Sequence, residues 1–309
     1  MKARLIVNPV SGTDSAPTFL KTINETLRKT FGDLDISLTS EAGDARRIAA
    51  KSVTENYTHI FVAGGDGTLN EALNGAASIE NGLQKVIFGL IPLGTGNDFA
   101  NSLGLTENVE ETLDFYARQK TILVDVGAVN EHFFVNVSAG GFIAEVSDAV
   151  NPQLKTIAGK FAYLLGGAQV FFEFLPFEAK IKIRFASGET IRRIYNLQMF
   201  AVCSGKTIGG GNLIAPDALI DDGLFDVCLF KASDESSFSF LNQLSQVPSG
   251  NHIGNESIEY FRSDSIEFEF DREIKYNLDG EVFMGKSCRY RILPGAARFL
   301  AGAGIAEKV

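Results

Sequence analysis

The stretch HIFVAGGDGTLNE, His59 to Glu71, passes from an apolar run through a glycine-rich turn into a helical pattern. The run His59–Ala63 has the length and composition of a buried strand. Gly64, Gly65 and Gly67 let the backbone approach a ligand and reach conformations other residues avoid. The amides at the start of the following helix and the helix dipole both favour an anion there. Thr68 and Glu71 stand at capping-box spacing, which predicts a helix start fixed just after the glycines and a helix over Leu69–Ala77.

The arrangement recurs on both sides. RLIVN, Arg4–Asn8, leads into Pro9, Ser11 and Gly12 of a loop expected over Pro9–Asp14, and FGLIP leads into LGTGNDFA, with Gly94, Thr95, Gly96 and Asn97 ahead of Asp98. The strands expected at Ala3–Asn8, Leu34–Thr39, His59–Ala63 and Val86–Ile91 alternate with helices expected at Phe19–Phe31, Asp44–Val53, Leu69–Ala77 and Asp98–Leu103. This alternation predicts a doubly wound parallel-sheet α/β domain over residues 1–125. The three turns then gather at the carboxyl edge of the sheet, where ligands bind. Two of them carry an aspartate, Asp66 and Asp98. A carboxylate beside a phosphate cradle is repulsive unless a cation lies between them. No GxxxxGK[ST] motif is present, and Phe99 stands where the dinucleotide fingerprint begun by Gly94 and Gly96 requires its third glycine. A P-loop enzyme is thereby excluded and hydride transfer disfavoured.

Beyond residue 125 the texture changes. Alternating segments at Val124–Val129, Phe133–Val137, Lys180–Phe185, Ile191–Val202, Leu224–Leu229, Ile258–Phe261, Ser265–Phe270, Lys275–Leu278 and Arg289–Leu293 predict a mainly antiparallel β domain over residues 126–294. The tail 295–309 is expected to return to the first domain. A helix is expected over Ile157–Phe174. The apolar stretch Tyr163–Phe177 is too short to span a bilayer and is broken by Gly166, Gly167, Glu173 and Pro176. The opening MKARLIVNPVSG reads as a first strand, not a signal peptide.

A net charge of −10 disfavours a nucleic-acid partner. The 3 cysteines, Cys203, Cys228 and Cys288, are odd in number and form no CxxC pair, which points away from disulfides and zinc and toward a reducing cytoplasm. The 3 histidines have no ligand spacing. A metal here takes oxygen ligands, hence Mg²⁺ or Ca²⁺.

GGDGTLNE (Gly64–Glu71), NPxSG (Asn8–Gly12) and PLGTGNDFA (Pro92–Ala100) together resemble the diacylglycerol kinase catalytic domain family of lipid kinases, similar in fold to NAD kinases and more distantly to phosphofructokinases. APDALIDDGLFDV (Ala215–Val227) and LDGE (Leu278–Glu281) match that family's second domain. The resemblance spans nearly the whole chain and is nearest to the soluble bacterial diacylglycerol kinases. It implies transfer of the ATP γ-phosphate to a lipid hydroxyl, with Mg²⁺ and with diacylglycerol as the first choice of acceptor. By position it implies nucleotide contacts at Asn8, Pro9, Ser11, Gly12, Ser40, Gly64, Gly65, Asp66, Gly67, Thr68, Leu69, Asn70, Glu71, Thr95, Gly96 and Asn97. It assigns Glu281 as the proton acceptor with Asp279 beside it, and Asp66, Asp98 and Asp125 as an acidic network around the catalytic Mg²⁺. It places a structural Mg²⁺ on Asp222 and the backbone carbonyls of Leu219 and Leu224.

Other readings stay open. GGDGT is shared with NAD kinases, so a soluble nucleotide acceptor is a rival. Sphingosine, phosphatidylglycerol or a polyprenol are alternative lipids, and a non-catalytic nucleotide- or lipid-binding regulator is a further rival. LDGE also reads as a plain D-G hairpin turn, and the acidic cluster Asp217, Asp221, Asp222 and Asp226 as a solvated turn. A membrane-lipid substrate requires transient peripheral contact with the inner face of the membrane. Lys180, Lys182 and Arg184 on one face of a strand offer either a lipid-facing strip or an ordinary solvated face. The resemblance also leaves room for a homodimer.

Overall fold

The computed structural model describes residues 1–12, 15–149, 174–232, 237–302 and 305. All but the last residue of the helix expected over Ile157–Phe174, most of the apolar stretch Tyr163–Phe177 and the end of the loop Pro9–Asp14 lie outside the described residues. The chain divides into two compact units: unit 1 holds Met1–Val126, His132–Val135 and Leu293–Val309, and unit 2 holds Gly127–Glu131 and Asn136–Ile292.

Unit 1 runs β1 (Lys2–Val7), α1 (Ser15–Phe31), β2 (Asp33–Leu38), α2 (Asp44–Thr54), β3 (His59–Gly64), α3 (Asp66–Ala77), α4 (Gly82–Lys85), β4 (Ile87–Pro92), α5 (Asp98–Ser102) and α6 (Val109–Ala117). All pairings among β1 to β4 are parallel, in the order β2-β1-β3-β4. Every residue of β3 is buried, as a parallel strand covered on both faces requires. The chain moves one way across the sheet from β1 to β2, then returns past β1 to β3 and β4. Right-handed crossovers therefore put α1 on one face and α2 and α3 on the other. In keeping with this, α1 packs against α6 and α2 against α3. Ile23, Leu27 and Phe31, four residues apart on α1, are all buried. The reversal falls between β1 and β3, the switch point of an open α/β sheet.

The helix after the glycine turn begins at Asp66, three residues before the expected Leu69, and the capping box does not form. Its N-cap is Gly65, with no side-chain hydrogen bond. Thr68 lies inside the first turn, and its Oγ1 accepts from Asn8 Nδ2 at 3.2 Å. Glu71 Oε2 accepts the Ala45 amide of α2 at 3.2 Å.

The chain continues through β5 (Thr121–Val129), β6 (His132–Phe134), β7 (Val137–Gly141), α7 (Phe142–Ala149), β8 (Phe177–Arg184), β9 (Thr190–Cys203), β10 (Phe225–Lys231), α8 (Ser237–Gln246), β11 (Ile258–Ser263), β12 (Ser265–Leu278) and β13 (Glu281–Leu300). The pairings within unit 2 are antiparallel, β11-β10-β9 on one side and β12-β13 on the other. Between β9 and β12, β7 and β8 each bridge the gap at a different level. Phe200, Phe268 and Tyr290 are buried, with Phe200 and Phe268 stacked at 4.5 Å. The two strands expected at Ser265–Phe270 and Lys275–Leu278 are one strand whose register shifts between Glu269 and Ile274. The last residues of β13 belong to unit 1, where Arg298 and Phe299 pair parallel with Ile87 and Phe88 of β4.

Candidate active site

In unit 1 the turns after β1, β3 and β4 meet. A β-carbon built on Gly94 would stand 2.6 Å from Gly65 Cα, and one on Gly65 would stand 3.2 Å from Gly94 Cα and 3.7 Å from Ser11 Oγ. Only glycine permits this approach. Asn8 fastens the first turn to the second: its amide donates to Ala63 O at 2.9 Å and its side chain reaches Thr68. Its own Oδ1 accepts the Val10 amide at 3.2 Å. The Leu93 amide donates to Gly64 O at 3.0 Å, which joins the second turn to the third.

Asn97 shapes the third turn. It adopts φ 50° as the N-cap of α5, donates Nδ2 to Gly94 O at 2.7 Å and accepts the Gly94 amide on Oδ1 at 3.0 Å. Around this frame Pro9, Gly12, Gly65 and Gly96 are half-buried, while Gly67 and Thr95 are exposed. The first turn of α3 has no side-chain cap, so its leading amides have no capping partner on a side chain. Exposed glycine backbone, an uncapped helix start and the dipole behind it form an anion cradle.

Two carboxylates sit at the base of the cradle. Asp66 Oδ2 accepts the Asp98 amide at 3.1 Å and Oδ1 the Phe99 amide at 3.2 Å, so Asp66 caps α5. Burial raises the Asp66 pKa and the nearby Asp98 charge adds to the rise, while the amide bonds pull it back. Asp98 is itself buried. A half-buried and a buried carboxylate within electrostatic reach of each other suit a hard divalent cation with oxygen ligands. Asp125, also buried, gives one oxygen to the Gly295 amide at 2.7 Å.

The remaining expected nucleotide residues serve the frame. Leu69 is buried in the core. Asn70 Nδ2 donates to Phe133 O at 3.1 Å, and its neighbour Asn74 takes the same carbonyl at 2.8 Å and the Phe133 amide at 2.9 Å, which holds β6 against α3. Ser40 is exposed, and its amide and hydroxyl both donate to Asp44 Oδ2, at 2.9 and 2.8 Å. Arg47, with the Ser40 donors, holds the Asp44 carboxyl well below the usual carboxylate range. Asp44 and Asn74 were not singled out from the sequence. A helix-start aspartate four residues after a serine is a local signal for the first, whereas the partner of Asn74 is 59 residues away.

In unit 2, Asp279 (φ 46°) and Gly280 (φ 95°) form the two-residue turn joining β12 to β13, with Leu278 opposite Glu281. Two positive φ values are the mark of a type I′ hairpin. Asp279 Oδ1 also accepts the amides of Asn136 and Val137, at 3.1 and 2.9 Å, and so ties the hairpin to the start of β7. Glu281 is exposed. On the outer face of β8, Lys182 pairs with Glu267 at 3.0 Å and Arg184 with Asp264 at 2.7 Å, while Lys180 is exposed.

The residues around Asp222 do not fit the expected metal. Asp222 Oδ1 accepts the Leu224 amide at 3.0 Å, and Oδ2 pairs with the guanidinium of Arg262. Leu219 is exposed. Among the described residues no group of three or more His, Cys, Asp or Glu side chains is placed to hold a metal ion. Nor is any described helix long and apolar enough to cross a membrane.

Comparison with known proteins agrees with this geometry. Residues 2–129 match the diacylglycerol kinase catalytic domain, and residues 136–301 match the YegS C-terminal NAD kinase beta sandwich-like domain. The chain is 30% identical over 283 residues to a diacylglycerol kinase of Bacillus subtilis (strain 168), which covers 91% of this chain and 89% of the relative. It is 30% identical over 276 residues to a "Probable lipid kinase YegS-like" of Shewanella frigidimarina, covering 89% and 86%. A crystal structure of a diacylglycerol kinase from Bacillus anthracis str. Sterne superposes with a TM-score of 0.73 at 25% identity over 98% of each chain. A second structure from that organism gives 0.80 at 27% identity, over 98% of this chain and 96% of the other. The chain belongs to the diacylglycerol kinase catalytic domain family and is an ATP-dependent lipid kinase.

Proposed function

We propose that the acceptor is diacylglycerol and the product phosphatidic acid. The observation that carries the phosphoryl-transfer half of this reading is the mutual contact of the Ser11, Gly65 and Gly94 turns, which offers backbone amides to a polyphosphate. The choice of acceptor rests on the relatives named diacylglycerol kinase.

The acceptor hydroxyl oxygen attacks the γ-phosphorus of ATP, the bond to the β-phosphate oxygen breaks, and ADP leaves. Glu281 takes the hydroxyl proton, because a carboxylate within reach lets the bond form without a free alkoxide. Asp279 positions that carboxylate: it pins the turn through two amides, and Glu281 stands two residues on, at the start of β13. The turns of unit 1 hold the phosphates, with Asn8 and Asn97 fixing the spacing. Asp66 and Asp98 are the residues that would hold Mg²⁺, which when bound would supply neutralisation of the phosphate charge. A substrate dissolved in a bilayer requires the protein to visit the inner face of the membrane. Lys180, Lys182 and Arg184 are candidates for that contact.

The test offers labelled ATP and Mg²⁺ with mixed micelles holding diacylglycerol, sphingosine, phosphatidylglycerol or a polyprenol, and with NAD in a further tube. Label in phosphatidic acid is expected, with kcat lowered by several orders of magnitude in Glu281→Gln while ATP binding persists. Label confined to another acceptor refutes diacylglycerol, and wild-type turnover in Glu281→Gln refutes the proton acceptor.

A further inference from the structure

The acidic turn ahead of β10 meets β11 through one cation. Arg262 stands directly opposite Asp226 in the antiparallel β10–β11 register. Its guanidinium pairs with Asp222 Oδ2 and places Nε 3.8 Å from Asp226 Oδ2. Asp222 Oδ1 takes the Leu224 amide and Asp226 Oδ1 the Tyr260 hydroxyl at 2.5 Å, while Asp226 Oδ2, buried without a hydrogen bond, has the charge of Arg262 beside it. Asp226 is fully buried. Asp217 and Lys206 complete the charges within electrostatic reach of it.

We infer that Arg262 occupies, in this chain, the place of the structural divalent cation that the family resemblance assigns to Asp222. A planar guanidinium reaches two carboxylates at once. It does from the side what a bound ion would do from within: it neutralises Asp222 and fastens the turn around Leu224 to the neighbouring strand. A divalent cation needs several oxygens close around it. Here it would have to displace the guanidinium from Asp222 and then sit beside that positive charge. The turn around Asp222 therefore needs no divalent cation.

The inference is about stability and does not depend on which acceptor the enzyme uses. The test is the melting temperature of nucleotide-free protein in EDTA and in about 10 mM Mg²⁺, for the wild type, Asp222→Asn and Arg262→Met. The wild type and Asp222→Asn are expected to respond to Mg²⁺ alike, within about 1 °C, because any ion they share binds elsewhere. A wild-type shift exceeding that of Asp222→Asn by about 5 °C or more, as a saturated site would give, overturns the inference. Arg262→Met bares Asp222 and is expected to gain a Mg²⁺-dependent shift that the wild type lacks. A folded Arg262→Met with no such gain also overturns it. If that variant does not fold, the comparison of the wild type with Asp222→Asn decides alone.

Discussion

Gly94→Ala tests the meeting of the three turns directly. The added β-carbon would lie 2.6 Å from Gly65 Cα and 2.9 Å from Asn97 Oδ1, against 3.4–4 Å for ordinary contact. Neither neighbour yields easily. One is backbone, and the other is a side chain held at both ends by Gly94 itself. Overpacking of this kind costs about 1–3 kcal/mol. The strain is relieved by moving the Gly65 turn away from the Gly94 turn, which widens the cradle. If the nucleotide must reverse that movement to bind, the KM for ATP rises about 5- to 150-fold. Steady-state kinetics against ATP, with a melting curve on the same sample, measure both effects. Gly67→Ala is the contrast. A β-carbon there meets nothing within 4 Å, and the residue lies in the first turn of α3, where alanine is the better helix former. Its melting temperature should match or exceed that of the wild type, so a raised ATP KM in this variant reports ligand approach alone. A folded Gly94→Ala protein with an ATP KM within about 2-fold of the wild type would refute the cradle.

Two further predictions concern carboxylates that act on the backbone. Asp279→Ala strands the Asn136 and Val137 amides and should cost about 1–3 kcal/mol, seen as a melting temperature lower by about 2–4 °C per kcal/mol. Asp279→Asn keeps an acceptor oxygen and tolerates the left-handed turn, so it should recover most of that loss; equal losses would show that the two hydrogen bonds do not hold the hairpin. For Asp44 the folded pKa lies below the unfolded value, so its contribution is present above about pH 4 and fades as pH falls toward the folded pKa. The difference in urea midpoint between the wild type and Asp44→Asn should therefore shrink from pH 7 to pH 3, and a difference that stays constant across that range contradicts the assignment.

The parallel half of the fold was legible because its strands are buried on both faces, and such strands read as unbroken apolar runs, as His59–Gly64 does. Where one face meets solvent, the signal thins. β13 extends from Glu281 to Leu300, yet only Arg289–Leu293 stood out, because exposed and half-buried residues interrupt its apolar pattern. β12 read as two strands, since Asp271, Arg272 and Glu273 fall where its register shifts. α6, Val109–Ala117, went unrecognised although Asn108 caps it by accepting the Glu111 amide at 3.2 Å. Its two leading glutamates mask the apolar stripe that Val109, Leu113 and Tyr116 form once folded.

The site shows a sharper limit. Residue type and local turn chemistry place an acid in the right loop, but only the fold shows what that acid holds. Asp66 reads as a metal ligand, yet both its oxygens also accept amides at the start of α5, 32 and 33 residues away. Asp279 reads as a partner in catalysis, yet its oxygen holds amides 142 and 143 residues away. Asp222 reads as an ion ligand, yet it faces an arginine on another strand. Removing any of the three disturbs backbone as well as chemistry, so lost activity alone cannot assign a catalytic role to them. Glu281 differs, because it is exposed on the strand side of a turn that Asp279 already secures. Its amide variant changes proton affinity and leaves the turn intact. A drop in kcat with unchanged melting temperature and ATP binding is therefore a signature that Glu281 can give and Asp279 cannot.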